Sequence, residues 1–198
     1  EPGIYVEPKF SPSGDRVVFR RLTGGYLLSP EWSMDPGVYI ADVKSKTMKK
    51  VMKDGFNVHF ASDEERLFYT RYVPESKYTE LELCSVDLEG NDKRELLKGK
   101  KITEYQLSPD GQWIAYTHQN NAFVAPFLET GSQQELGVKV AGLPFAQVSS
   151  RAGEYLHWSS DSKKLAWSHA ATVFDRELNK SFNFLAGAPE ELPDPESK

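Results

Sequence analysis

The chain has 198 residues, a formal net charge of −5 and a hydrophobic fraction of 39%. That fraction is enough for a packed core and excludes a disordered chain, while the slightly acidic balance argues against a nucleic-acid surface. No run approaches the ~18 apolar residues of a membrane span, and the start, Glu1-Pro2-Gly3, carries no basic signal-peptide region, so neither nucleic acid nor membrane insertion is expected.

In chain order, the first signal is Phe10-Ser11-Pro12-Ser13-Gly14 followed by the apolar strand Arg16-Val17-Val18-Phe19. A long connection from Leu22 to Asp35 follows, then a third strand over Gly37–Val43 and a charged fourth over Thr47–Met52. The pattern returns, degraded, at Phe60-Ala61-Ser62-Asp63-Glu64-Glu65. Its third strand is Leu81–Leu88 and its fourth Asp92–Leu97. Cys84 lies in that third strand and reads as a buried small hydrophobe, since no cationic neighbour would activate it. The clearest copy is Leu107-Ser108-Pro109-Asp110-Gly111, with further strands expected over Ala122–Phe127 and Ser132–Leu136. The last is Trp158-Ser159-Ser160-Asp161-Ser162, with a third strand over Ala171–Asp175 and no evident fourth. Residues 188–198 are rich in Pro and Glu and read as a linker or frayed end.

Each copy is a strand–turn–strand unit. Pro sets φ near −65°, Asp can hydrogen-bond its own backbone, and Gly supplies a positive φ. Glu65 stands for the glycine in the second copy and Ser162 in the fourth, so those turns are expected to be looser or of another type. The anchors Phe10, Phe60, Leu107 and Trp158 are 50, 47 and 51 residues apart. Four strands per such period predict an all-β chain, a β-propeller of about four four-stranded antiparallel blades over residues 1–54, 55–102, 103–150 and 151–187. Charge on the outer strands is the expected protection of a sheet edge.

The Ser-Pro-Asp-Gly hairpin and the strand Val38-Tyr39-Ile40-Ala41-Asp42 resemble the TolB-like β-propeller repeat, over essentially the whole chain. Residues 149–159 and 182–193 are similar to the propeller region that precedes certain secreted bacterial amidohydrolase domains. The resemblance implies a periplasmic or secreted setting and a larger parent protein, in which an amidohydrolase or peptidase domain would lie outside this chain. Propellers of these families close with six or more blades. About four blades imply a fragment, a truncated product or an arc, and a homodimer that completes the ring is one expectation.

The residue before each anchor is polar: Lys9, His59, Gln106 and His157. Alternation sets this column on the strand face opposite the anchors. It reads as a channel-lining ring that binds an ion, ligand or peptide end, or as ordinary channel lining. Glu7, Glu104, Glu154 and Tyr155 stand near the entry to the same strands; Glu154 with His157 invites an acid–base reading, a solvated rim carboxylate being the alternative. The two long loops offer Tyr26, Leu27, Trp32, Tyr72 and Tyr78 as a partner surface, or as a cover folded back on a blade.

No nucleophile elbow, His-Glu-x-x-His helix, His-x-His pair or phosphate loop occurs, so no catalytic residue, metal or cofactor is expected in this chain. The sequence therefore reads as a non-catalytic module for protein interaction, scaffolding or substrate gating. The alternatives are the propeller part of a hydrolase and a small-ligand or carbohydrate-binding propeller, although Trp113, Trp158 and Trp167 sit at strand positions that look buried.

Overall fold

The computed structural model describes residues 3–22, 35–76, 80–138 and 142–195. Its regular structure is β throughout, apart from two 3-10 turns at Pro74–Ser76 and Leu178–Lys180. The strands form four blades of a β-propeller. The first is β1 (Ile4–Phe10), β2 (Arg16–Leu22), β3 (Gly37–Asp42) and β4 (Met48–Met52), in that order. The second holds β5 (Phe56–Phe60), β6 (Arg66–Tyr72), β7 (Glu80–Asp87) and β8 (Arg94–Lys100). The third is built on β9 (Ile102–Leu107), β10 (Trp113–His118) and β11 (Asn121–Pro126). The fourth has β14 (Glu154–Trp158), β15 (Lys164–His169) and β16 (Thr172–Glu177), and no fourth strand among the described residues.

One strand differs from expectation. The segment expected to finish the third blade supplies β12 (Gln134–Glu135), which pairs in parallel with β8 of the second blade, Gln134 opposite Leu97. Leu136 continues it, donating its N–H to the Lys98 carbonyl and burying its side chain. The third blade is instead completed by β13 (Ala146–Gln147), paired with β11. Two residues are too short to show a periodicity, so the longer polar run drew the assignment.

All four hairpins share one turn. Residues 14, 64, 111 and 162 each donate an N–H to the carbonyl three residues back, over 2.9–3.0 Å. Gly14 and Gly111 take φ of +76° and +70°, and Glu64 and Ser162 take +59° with the same hydrogen bonds. The turns with Glu and Ser are therefore not looser, and the residue in the glycine's place is Glu64, not Glu65. In the third and fourth copies the Asp does what the sequence implied. Asp110 accepts from the Ser108 hydroxyl and the Gln112 N–H, and Asp161 from the Ser159 hydroxyl and the Lys163 N–H.

The chain divides into two compact units, residues 1–71 with 83–96, and residues 72–82 with 97–198. The core of the first gathers Val18, Val38, Val58, Leu67, Cys84 and Val86, all at most 1% exposed. Strands β2, β3, β5, β6 and β7 deliver these side chains to one place, and Cys84 is a packing residue there. The core of the second joins Ala115, Val124, Leu156, Trp158, Leu165 and Trp167 to Leu178 and Phe182 of the C-terminal segment. Gly153 is required in this unit: a Cβ there would stand 2.6 Å from the Ala122 nitrogen. The tail, read from the sequence as a linker or frayed end, is hydrogen-bonded at Pro193 and Asp194. The buried guanidinium of Arg176 donates to the carbonyls of Pro193 and Asp194. No helix among the described residues is long and apolar enough to cross a membrane.

Candidate functional site

The first strand of each blade forms one edge of its sheet. Within the first unit β1 lies against β5, and within the second β9 lies against β14. A bulge marks three of these strands. Glu7, Asn57 and Tyr155 each stand three residues before their anchor, take φ of 52–55° and share one partner with the residue that follows. In β9 the bulge is displaced to Thr103, between the pairs Glu104–Thr117 and Ile102–His118. A bulge re-aims side chains at a strand end, and here it turns the backbone N–H groups of one blade towards its neighbour.

In the first unit, the Glu7 carboxylate accepts the Asn57 N–H at 2.9 Å and the Arg20 guanidinium at 2.6 Å. Lys9 Nζ donates to Asn57 Oδ1 at 2.8 Å. His59 stacks on Phe68 with centroids 5.7 Å apart, and its Nδ1 lies 3.1 Å from the Asn57 carbonyl. A carbonyl can only accept, so Nδ1 carries the proton. Nε2 is then an acceptor, and it is buried with no hydrogen-bond partner among the described residues. Burial, then the Lys9 charge, lower the His59 pKa to about 4 against a small opposing effect of the Asn57 carbonyl. The ring is neutral at pH 7, beside an ammonium.

The second unit differs. The Gln106 carbonyl accepts Trp158 Nε1 at 2.9 Å, and the Glu104 carboxylate accepts the Leu156 N–H at 3.3 Å. His157 and Glu154 are exposed, and no hydrogen bond or ion pair joins them among the described residues. Tyr155 is 78% exposed. The column thus brings Lys9 and His59 together, while Glu154 and His157 form no acid–base pair. Of the loop candidates, Tyr72 is exposed at the end of β6; Tyr26, Leu27, Trp32 and Tyr78 lie outside the described residues.

Two features escaped the sequence reading. Asn57 links Glu7, Lys9 and His59, and the signal for it was an Asn that tolerates a left-handed φ. The second is a groove of about 730 Å³ at the hairpin-turn end of the second unit, with Trp113, Leu178 and Leu185 and a rim of Asp161, Lys163 and Glu177. Its lining comes from four separate segments and leaves no motif.

No family model and no curated protein matches the sequence. Solved structures do match. TolB from Acinetobacter baumannii superposes with a TM-score of 0.63 at 16% identity, over 91% of this chain and 42% of that one. The β-propeller domain of the Trilobed protease from Pyrococcus furiosus gives 0.55 at 13%, over 84% and 48%. An oligogalacturonate lyase in complex with manganese gives 0.56 at 14%, over 85% and 46%. The chain spans less than half the length of each. Identities this low establish the shared β-propeller fold and nothing finer.

Proposed function

We propose that this chain is a non-catalytic β-propeller module that serves protein interaction, scaffolding or substrate gating within a larger bacterial protein, in a periplasmic or secreted setting. The observation that carries the reading is the use to which its polar edge is put. Glu7, Lys9 and Glu104 hold neighbouring blades together across roughly fifty residues of sequence. Carboxylates occupied by the backbone N–H groups of the next blade brace a scaffold.

The test is turnover by the isolated chain of p-nitrophenyl esters, N-acyl amino acids and peptides. None is expected. Turnover lost on replacing His157 or Glu154 would overturn the reading.

A second reading is favoured by the similarity to a propeller domain of a protease: this chain as the propeller part of a hydrolase whose catalytic domain lies elsewhere. Gating then predicts that widening the edge, by Lys9→Ala in the parent protein, changes the size of substrate accepted and leaves kcat on a small substrate unchanged. The carbohydrate-binding alternative is weakened by the burial of Trp113, Trp158 and Trp167, none more than 9% exposed.

A further inference from the structure

The repeat shows twice over how one blade receives the next. In the first unit Arg16 sits over the Phe60 ring, 5.3 Å from its centroid, and Glu7 accepts the N–H of the second blade's bulge. In the second unit the Gln106 carbonyl accepts Trp158 Nε1, and Glu104 accepts the N–H of the fourth blade's bulge. In both, the anchor of the following blade is buried against the preceding one: Phe60 is 8% exposed and Trp158 4%.

Among the described residues the first blade carries the same anchor without a cover. Phe10 is 69% exposed, and Ile4 and Tyr5 on the same strand are 45% and 42% exposed. β1 also has the same bulge as β5 and β14. Its leading face therefore has the form that, elsewhere in this molecule, another blade of the same repeat covers.

The trailing side of the fourth blade has the matching parts. Six residues past its anchor, where Arg16 stands in the first blade, is Lys164, with a side chain 43% exposed. Its long apolar stem and ammonium suit an aromatic ring as a guanidinium does. Three residues before the anchor, where Glu7 and Glu104 reach the following blade, Tyr155 stands 78% exposed.

We propose that the bare face of β1, centred on Phe10, docks the trailing side of the fourth blade of a second copy of this chain, with Lys164 over the Phe10 ring. The contact is head-to-tail, so each copy carries one donor and one acceptor surface. This goes beyond the module reading and does not depend on it: turnover by the chain would defeat that reading and leave this one standing.

The test is sedimentation velocity of the chain and two variants between about 1 and 100 µM, with near-UV circular dichroism to confirm the fold of each. The unaltered chain is expected to self-associate, as a closed pair or a longer array. Phe10→Asp and Lys164→Glu are each expected to weaken association at least about tenfold. Mixing the two variants is expected to restore a one-to-one complex, because the first keeps its fourth-blade side and the second keeps its β1 face. A chain monomeric throughout, association unchanged by Phe10→Asp, or no complex on mixing would each overturn the proposal.

Discussion

Glu64 Oε2 lies 2.6 Å from Arg16 Nη2, and this pair ties the hairpin turn of the second blade to the start of β2 in the first. The same carboxylate accepts the Ser13 N–H and hydroxyl. The side chain that does this sits where Gly14 and Gly111 need none, at a φ of +59°. A left-handed backbone is tolerated at residue 64 because its side chain reaches the preceding turn.

The Arg16 guanidinium first, and the Ser13 groups with it, lower the Glu64 pKa from 4.5 to about 2. The folded value is below the unfolded one. The contribution is therefore complete above pH 4.5 and is lost as pH falls to about 2. Glu64→Gln should lower the urea midpoint at pH 7, and the gap from the unaltered chain should close on titration to pH 2. A gap that does not depend on pH over that range would contradict the ion-pair account.

Ser162 plays the corresponding part in the second unit, its buried hydroxyl accepting the Asp110 N–H at 2.9 Å. Ser162→Ala keeps the left-handed backbone and removes the acceptor, so it should destabilise by about 1 kcal/mol. Ser162→Gly loses the same bond but relieves roughly 1–2 kcal/mol of left-handed strain, and should fall near zero or slightly on the stabilising side. Urea denaturation of both variants checks the order. Ala as the milder substitution would mean that the left-handed backbone at residue 162 holds no strain for glycine to relieve.

These two residues also show where sequence reasoning stops. The repeat, its period, the strand–turn–strand units and the all-β architecture are legible because Pro, Asp, Gly and apolar alternation act locally. The role of Glu64 was not legible, because a charged residue at a positive φ contradicts local preference and is explained only by Arg16, 48 residues earlier. β12 was misplaced for a related reason: a strand's partner is chosen by the free edge it meets, and Leu97 and Lys98 offered one. The polar column could be read as a set of residue types. Its bonding through Asn57 could not, because the bulge that turns the Asn57 N–H to Glu7 depends on the neighbouring blade.

His59 supplies a prediction in a different pH window. Its folded pKa, about 4, is below the unfolded 6.5. Between these values the unfolded chain binds a proton that the folded chain refuses, so stability is full above pH 6.5 and declines as pH falls to about 4. The span corresponds to roughly 3 kcal/mol. His59→Phe keeps a ring against Phe68 and removes the titration. The variant should show a flatter stability profile from pH 6.5 to 4 and exceed the unaltered chain at the acid end. Parallel profiles would mean that His59 charges freely in the folded state.

Arg176 gives the last prediction. Arg176 is 5% exposed, and its guanidinium holds the carbonyls of Pro193 and Asp194. Hydrogen bonds to a charged group contribute roughly 1.5–3 kcal/mol in total stability when removed. Arg176→Met preserves the apolar stem and deletes the donors. The freed tail should leave Phe182 less firmly seated against Trp113, whose ring centroid is 5.1 Å away. Hydrogen exchange should accelerate over residues 178–195 and remain unchanged in β9 and β10. Acceleration spread evenly through the second unit would show instead that Arg176 supports the whole fold and does not act as a clasp on the tail.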